Sequence, residues 1–134
     1  MSDLFADTSF FVAFLNHGDD HHASALRYMA EHRDNIVTTN LVLVELANFL
    51  APTRGRKLLL QFLNDLQKDE RFVFIPVDDA LIERGLRFYG RRPDKRWSLT
   101  DCISFIVMQG RGITEALTAD HHFHQAGFDV LLKP

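Results

Sequence analysis

Short apolar runs and longer amphipathic ones alternate along this chain. Leu4–Ala6 (LFA) has the length of a strand and ends at Asp7. Thr8 to Leu15 (TSFFVAFL) stays apolar for too long to continue that strand, and predicts a helix ending near Gly18. Asn16–His22 (NHGDDHH) is polar and turn-rich, a loop. Ala23–Arg33 places Leu26, Met29 and Ala30 on one helical face, and Ile36–Thr38 is a second short strand. Asn40–Ala51 (NLVLVELANFLA) reads as a buried helix stopped by Pro52. Arg56–Asp69 carries Leu59, Phe62, Leu63 and Leu66 in the amphipathic helical pattern.

Arg71–Val77 (RFVFIPV) alternates in part and predicts a strand. Asp78 or Asp79 caps the next helix, whose inward face is expected to be Leu81, Ile82, Leu86 and Tyr89. Gly90–Trp97 is a basic loop. A helix over Leu99–Gln109 turns Leu99, Cys102, Ile103, Ile106 and Val107 inward and stops at Gly110 and Gly112. A strand at Glu115–Ala119, a short helix at Asp120–Ala126 ended by Gly127, and a strand at Phe128–Leu132 complete the chain. Strands alternating with helices imply βαβ units and a parallel sheet covered on both faces.

The 134 residues suit one domain, 1–134, with a full-sized core. Twelve phenylalanines make that core rich in rings. The lone Cys102 excludes an intramolecular disulfide, and with no secretory signal and no apolar run near membrane-spanning length, a cytoplasmic protein with no membrane contact is expected. A net charge of −3 argues against a general DNA-coating protein but not against a nuclease, whose metal-binding acids can coexist with a local basic rim.

Ligands of parallel sheets bind beyond the C-terminal strand ends. Asp7 and Asp120 each follow a predicted strand directly, Asp101 starts a helix, and Glu45 interrupts the apolar helix VLVELANFL. Each acid also has a purely structural reading. Asp101 with Ser98 fits a capping box, Asp7 and Asp120 are natural N-caps, and Glu45 with Asn48 fits a thin exposed strip. Together the four have a shared chemical reading. Clustered carboxylates repel unless a cation offsets them. Hard oxygen ligands select Mg²⁺ or Mn²⁺, which can share their shell with water and a substrate phosphate in phosphodiester hydrolysis.

Leu4–Leu15 (LFADTSFFVAFL), Thr38–Leu46 (TTNLVLVEL), Trp97–Phe105 (WSLTDCISF) and Leu117–Phe128 (LTADHHFHQAGF) resemble, in order and over nearly the whole chain, the motifs of the PIN-domain ribonucleases. The VapC-type toxins of bacterial toxin–antitoxin pairs are the nearest likeness. The resemblance implies a three-layer α/β/α sandwich with a central parallel sheet of about five strands. It implies a Mg²⁺- or Mn²⁺-dependent endoribonuclease, with Asp7, Glu45, Asp101 and Asp120 as the catalytic, metal-holding quartet. Ser9 and Thr118 match the family's supporting hydroxyls. A cognate antitoxin and a homodimer are implied as partners, with Asn40–Phe62 as one possible dimer interface.

Arg91, Arg92, Lys95 and Arg96, in a basic segment that begins at Arg84, are candidate RNA-binding residues, with Trp97 either stacking on a base or plugging the core. Arg54, Arg56 and Lys57 form a smaller basic cluster open to RNA or antitoxin. The histidines at 17, 21 and 22 and at 121, 122 and 124 lack a zinc-motif spacing. They read as surface groups, with His122 as a possible substrate-positioning residue. Two other functions compete. One is a non-catalytic PIN-like module that binds RNA or protein. The other is an aspartyl-nucleophile phosphatase, which wants a second Asp where Ser9 stands.

Overall fold

The computed structural model describes residues 2–52 and 54–134. Five parallel strands form one sheet in the order β3-β2-β1-β4-β5. They are β1 (Leu4–Ala6), β2 (Ile36–Thr39), β3 (Phe72–Ile75), β4 (Glu115–Leu117) and β5 (Asp129–Val130). Seven helices flank it among the described residues: α1 (Thr8–Leu15), α2 (His22–Glu31), α3 (Asn40–Leu50), α4 (Arg56–Lys68), α5 (Asp79–Arg91), α6 (Leu99–Arg111) and α7 (His121–Gln125). From β1 the chain steps outward to β2 and β3, then returns to lay β4 against the other side of β1. Right-handed crossovers therefore place α1–α4 on one face of the sheet and α5–α7 on the other. This is the expected three-layer α/β/α sandwich.

Each helix layer has its own aromatic core. Phe11 packs edge-on against Phe62 at 6.0 Å between ring centroids, and Phe14 stacks on Phe62 at 5.3 Å, joining α1 to α4. Across the sheet, Phe105 of α6 meets Trp97, Phe123 and Phe128 at 5.1, 5.0 and 5.6 Å. Trp97 is 5% exposed and its indole N–H donates to Gln125 Oε1 at 3.1 Å, so it is a core plug and not a base-stacking platform.

Three buried faces differ from the sequence expectation. On α2, Ser24 and Ala25 are buried while Leu26 is exposed. On α3 only Val42 and Leu46 are buried; Val44 and Phe49 are 54% and 58% exposed, so this helix is not enclosed. On α5, Leu86 and Tyr89 point outward and the buried position is Gly85. The α5 result has a steric cause. A Cβ at residue 85 would lie 2.5 Å from Ile103 Cγ1, so the missing side chain is what lets α5 sit against α6. Gly85→Val should cost about 1–3 kcal/mol through overpacking, whereas Leu86→Ala on the exposed neighbour should stay within about 0.5 kcal/mol. Equal denaturation midpoints for the two variants would refute this close approach.

The terminal elements are also shorter than the apolar runs suggest. β4 ends at Leu117, leaving Thr118 and Ala119 in the loop that leads to Asp120, and β5 keeps only two paired residues. No helix is long and apolar enough to cross a membrane among the described residues.

Candidate active site

The strand order reverses between β1 and β4, and the crevice beyond their C-terminal ends is where an open α/β sheet accepts a ligand. Asp7 leaves β1 at that point, its N–H donating to the Leu117 carbonyl at 3.2 Å. Its side chain makes no capping hydrogen bond to α1, so capping does not explain this residue. Instead a hydroxyl relay holds it. Thr118 Oγ1 donates to Asp7 Oδ2 at 3.1 Å. Having used its only proton, Thr118 accepts from Ser9 Oγ at 3.0 Å and from the Asp120 N–H at 3.0 Å. Ser9 in turn accepts from the Ala119 N–H at 3.1 Å. Two hydroxyls thereby lock the loop after β4 to the junction of β1 and α1.

Asp7 is 5% exposed. Burial, followed by the charges of Asp101 and Glu45, pushes its carboxyl up to about 7, against the opposing pull of the Thr8 backbone and the Thr118 hydroxyl. Asp101 is raised too, chiefly by burial and then by the charge of Asp120, against the Ser98 backbone and His122. Asp101 completes the capping box with Ser98: its N–H donates to Ser98 Oγ at 3.0 Å, and its Oδ2 accepts from the Ser98 N–H at 3.1 Å. Asp120 caps α7 by accepting from the His122 N–H at 2.9 Å. Glu45, half-buried on α3, accepts from the Thr8 hydroxyl.

His122 joins the two sides. Its Nδ1 lies 3.2 Å from Asp101 Oδ2 and 3.3 Å from Asp120 Oδ1. Both partners are acceptors, so the tautomer that suits them carries its proton on Nδ1. Among the described residues, the three metal-ligating groups whose atoms fall within 4.8 Å of one another are Asp120, His121 and His122. Asp7, Glu45 and Asp120 line one crevice, whereas Asp101 is absent from its lining and is joined to Asp120 through His122; the four acids do not close to a single tight shell. The carboxylates of Asp7, Glu45, Asp101 and Asp120, taken without the two imidazoles, are hard oxygen donors of the kind that suit Mg²⁺ or Mn²⁺, which keep several waters of their own. Asp7, Glu45, Asp101 and Asp120 could hold such an ion.

Thr118→Val keeps the shape of the side chain but removes the donor to Asp7 and the acceptor for Asp120 N–H. Mn²⁺ affinity measured by calorimetry should fall roughly 10–100-fold, and Thr118→Ser should restore most of it. Equal affinities for wild type and Thr118→Val would show that the relay does not orient Asp7.

The PIN domain family model matches residues 4–129. The chain belongs to the PIN-domain family. This PIN domain is 33% identical over 132 residues to the 23S rRNA-specific endonuclease VapC20 of Mycobacterium tuberculosis, covering 98% of both chains. The crystal structure of VapC20, described as a sarcin–ricin loop cleaving toxin, superposes with a TM-score of 0.86 at 31% identity over 99% of this chain and 100% of that one. FitAcB of Neisseria gonorrhoeae shares the fold with a TM-score of 0.62 at 13% identity, covering 98% of this chain and 97% of that one.

In this PIN domain the crevice holds a cavity of about 320 Å³, lined by Asp7, Thr8, Ser9, Glu45 and Asp120 together with Val12, Asp19, His21, Phe49 and Ala119. No lysine or arginine is among these residues. Several of them escape a reading of the sequence. Asp19 and His21 come from a loop with no motif, folded by Asp19 Oδ1 accepting from the His21 N–H at 2.8 Å. Phe49 did carry a signal, because it lies one helical turn after Glu45 and so shares its face.

The structure divides the basic segment. Arg92 pairs with Asp94 through two 3.0 Å bonds and lies over the Trp97 ring at 4.9 Å, which commits its guanidinium locally. Arg91 is the last residue of α5, and Arg96 is exposed in the following loop. None of Arg91, Arg92, Lys95 and Arg96 lines the acidic cavity.

Proposed function

We propose that this PIN domain is a metal-dependent endoribonuclease, the toxin of a toxin–antitoxin pair, and that structured large-subunit ribosomal RNA is its substrate. One observation carries the reading. Asp7 is a buried carboxyl pushed up to about 7 by burial and by the charges of two other acids, in a cavity with no lysine or arginine. A divalent cation is what makes such an arrangement favourable. The ribosomal substrate rests on the likeness to VapC20 over 98% of the chain.

Asp7, Glu45, Asp101 and Asp120 would hold Mg²⁺ or Mn²⁺, which when bound supplies charge stabilisation at the phosphoryl oxygens and an acidified water. The chain's own residues prepare the site. Thr118 fixes the Oδ2 oxygen of Asp7. The Thr8 hydroxyl orients Glu45. Ser98 and His122 hold Asp101 at the head of α6. Phe49, exposed at the cavity wall, offers a ring face on which a nucleobase can stack.

The test is incubation with a sarcin–ricin loop RNA fragment in Mg²⁺ or Mn²⁺. Discrete cleavage that EDTA and Asp101→Asn both abolish is the expected result. Intact RNA, together with no Mn²⁺ binding at millimolar concentration, would favour the non-catalytic module. The same reading assigns the chain to the cytoplasm with its substrate, beside a cognate antitoxin, and as a homodimer. The exposed Val44, Leu58 and Leu60 of α3 and α4 supply apolar surface for such contacts. Light scattering should give twice the 15.4 kDa chain mass, and a monomer at micromolar concentration removes the dimer from this assignment.

A further inference from the structure

We propose that the arginine-lined groove between α5 and α6 is a second RNA-binding subsite, which seats the phosphodiester backbone flanking the cleavage point. The proposal rests on the nuclease reading and extends it to the substrate's flank. The groove has a volume of about 550 Å³ and is lined by Arg84, Arg87, Phe88, Arg91, Ile106, Gln109 and Gly110. The three arginines are exposed and recur at i, i+3 and i+7, so they form one stripe along α5. No carboxylate lines the groove. Arg87 pairs with Glu83 on its own helix at 3.2 Å, with both side chains more than half exposed. Among the described residues, Arg84 and Arg91 have no salt-bridge partner. Three arginines less one glutamate leave the stripe two positive charges, on a chain whose net charge is −3.

An elongated polyanion fits this stripe better than a single phosphate does. At 1.5 Å per residue, Arg84 to Arg91 spans about 10 Å, roughly three nucleotides of a stacked strand. Phe88 and Ile106 give the groove an apolar floor, which strengthens the field of the guanidinium groups above it. The C-terminal end of α6 contributes an opposing partial negative charge at Gln109 and Gly110. Arg111 in the last turn of α6 offsets that end. The groove is also tied to the acids by one rigid element. Asp101 lies in the first turn of α6 and Gln109 near its last, about 12 Å apart along the axis. A substrate held at Asp101 therefore reaches the arginines with a few further nucleotides of flank.

The test compares a stem-bearing hairpin RNA with a short oligonucleotide that spans only its cleavage site. For Arg84→Gln/Arg91→Gln, KM for the hairpin should rise on the order of 10-fold, with kcat unchanged and the short oligonucleotide unaffected. The slope of log affinity against log salt should fall by about 1.5 to 2 for the hairpin. Arg27→Gln/Lys68→Gln removes the same charge from other exposed helix positions and should behave as wild type. Unchanged hairpin KM and salt slope in the groove variant overturn the proposal, as does an equal loss in the control. Should wild type cleave neither RNA, the nuclease reading fails, and hairpin binding by fluorescence anisotropy still decides the groove. Weaker binding only in Arg84→Gln/Arg91→Gln supports it, and equal binding in all three proteins overturns it.

Discussion

Asp7→Asn should abolish RNA cleavage while making the metal-free protein more stable. The loss of activity should be on the order of 10³-fold or more, because Asp7, as the proposed central ligand, would underlie several kcal/mol of charge stabilisation. The stability gain follows from linkage. The carboxyl ionises near 3.8 in the unfolded chain and at about 7 in the folded one. The unfolded state therefore binds fewer protons than the native state between those values, and metal-free stability falls as pH rises through that window. Well below pH 3.8 the group is neutral in both states and the penalty vanishes. Above pH 7 it is fully expressed, at about 4 kcal/mol as an upper bound. Asparagine cannot ionise, so the melting-temperature gap between Asp7→Asn and wild type in EDTA should open from pH 4 to pH 7 and then level off. Saturating Mn²⁺ should narrow it by stabilising wild type alone. A variant less stable than wild type at pH 8 in EDTA would mean that the acids do not strain the metal-free fold.

The positions of these acids were legible from where the predicted elements begin and end. Asp7, Asp101 and Asp120 sit where short apolar runs end or helices begin, and strand-end geometry brings such positions together at the switch point between β1 and β4. The S-x-x-D spacing at Ser98 announced the capping box that the structure contains. Packing was less legible. Hydrophobic periodicity places large side chains inward, so it chose Leu86 and Tyr89 on α5 and passed over Gly85, whose value is the absence of a side chain. It likewise enclosed α3, although that helix leaves Val44 and Phe49 exposed. Trp97 stood in a basic segment, and only the fold brings it beside Phe88 and Phe105. Asp19 and His21 reach the cavity through a loop whose path no periodicity encodes.

The aromatic cluster behind α6 is expected to hold the acids in place, and Phe105→Ala tests this with a large expected loss of stability. Phe105 is fully buried, one helical turn after Asp101, so both project from the same side of α6. Its ring meets Phe123 at 5.0 Å, and Phe123 follows His122, the residue that links Asp101 to Asp120. The ring thus seats α7 against α6 and sets the distance between two of the acids. Truncation removes ring contacts to Trp97, Phe123 and Phe128 and leaves a cavity, at a cost of about 3–5 kcal/mol. For a chain of this size that lowers the melting temperature by roughly 10–20 °C. Phe105→Leu retains most of the apolar volume and should recover about half of the loss. Mn²⁺ affinity should fall in Phe105→Ala even at temperatures where the variant is fully folded, because α7 is free to shift. By contrast Leu60→Ala, which truncates an exposed side chain on α4, should leave stability within about 0.5 kcal/mol and metal affinity unchanged. If Phe105→Ala melts within about 2 °C of wild type, well short of what a filled core position predicts, the aromatic cluster is not what fixes α7 and its acid against α6.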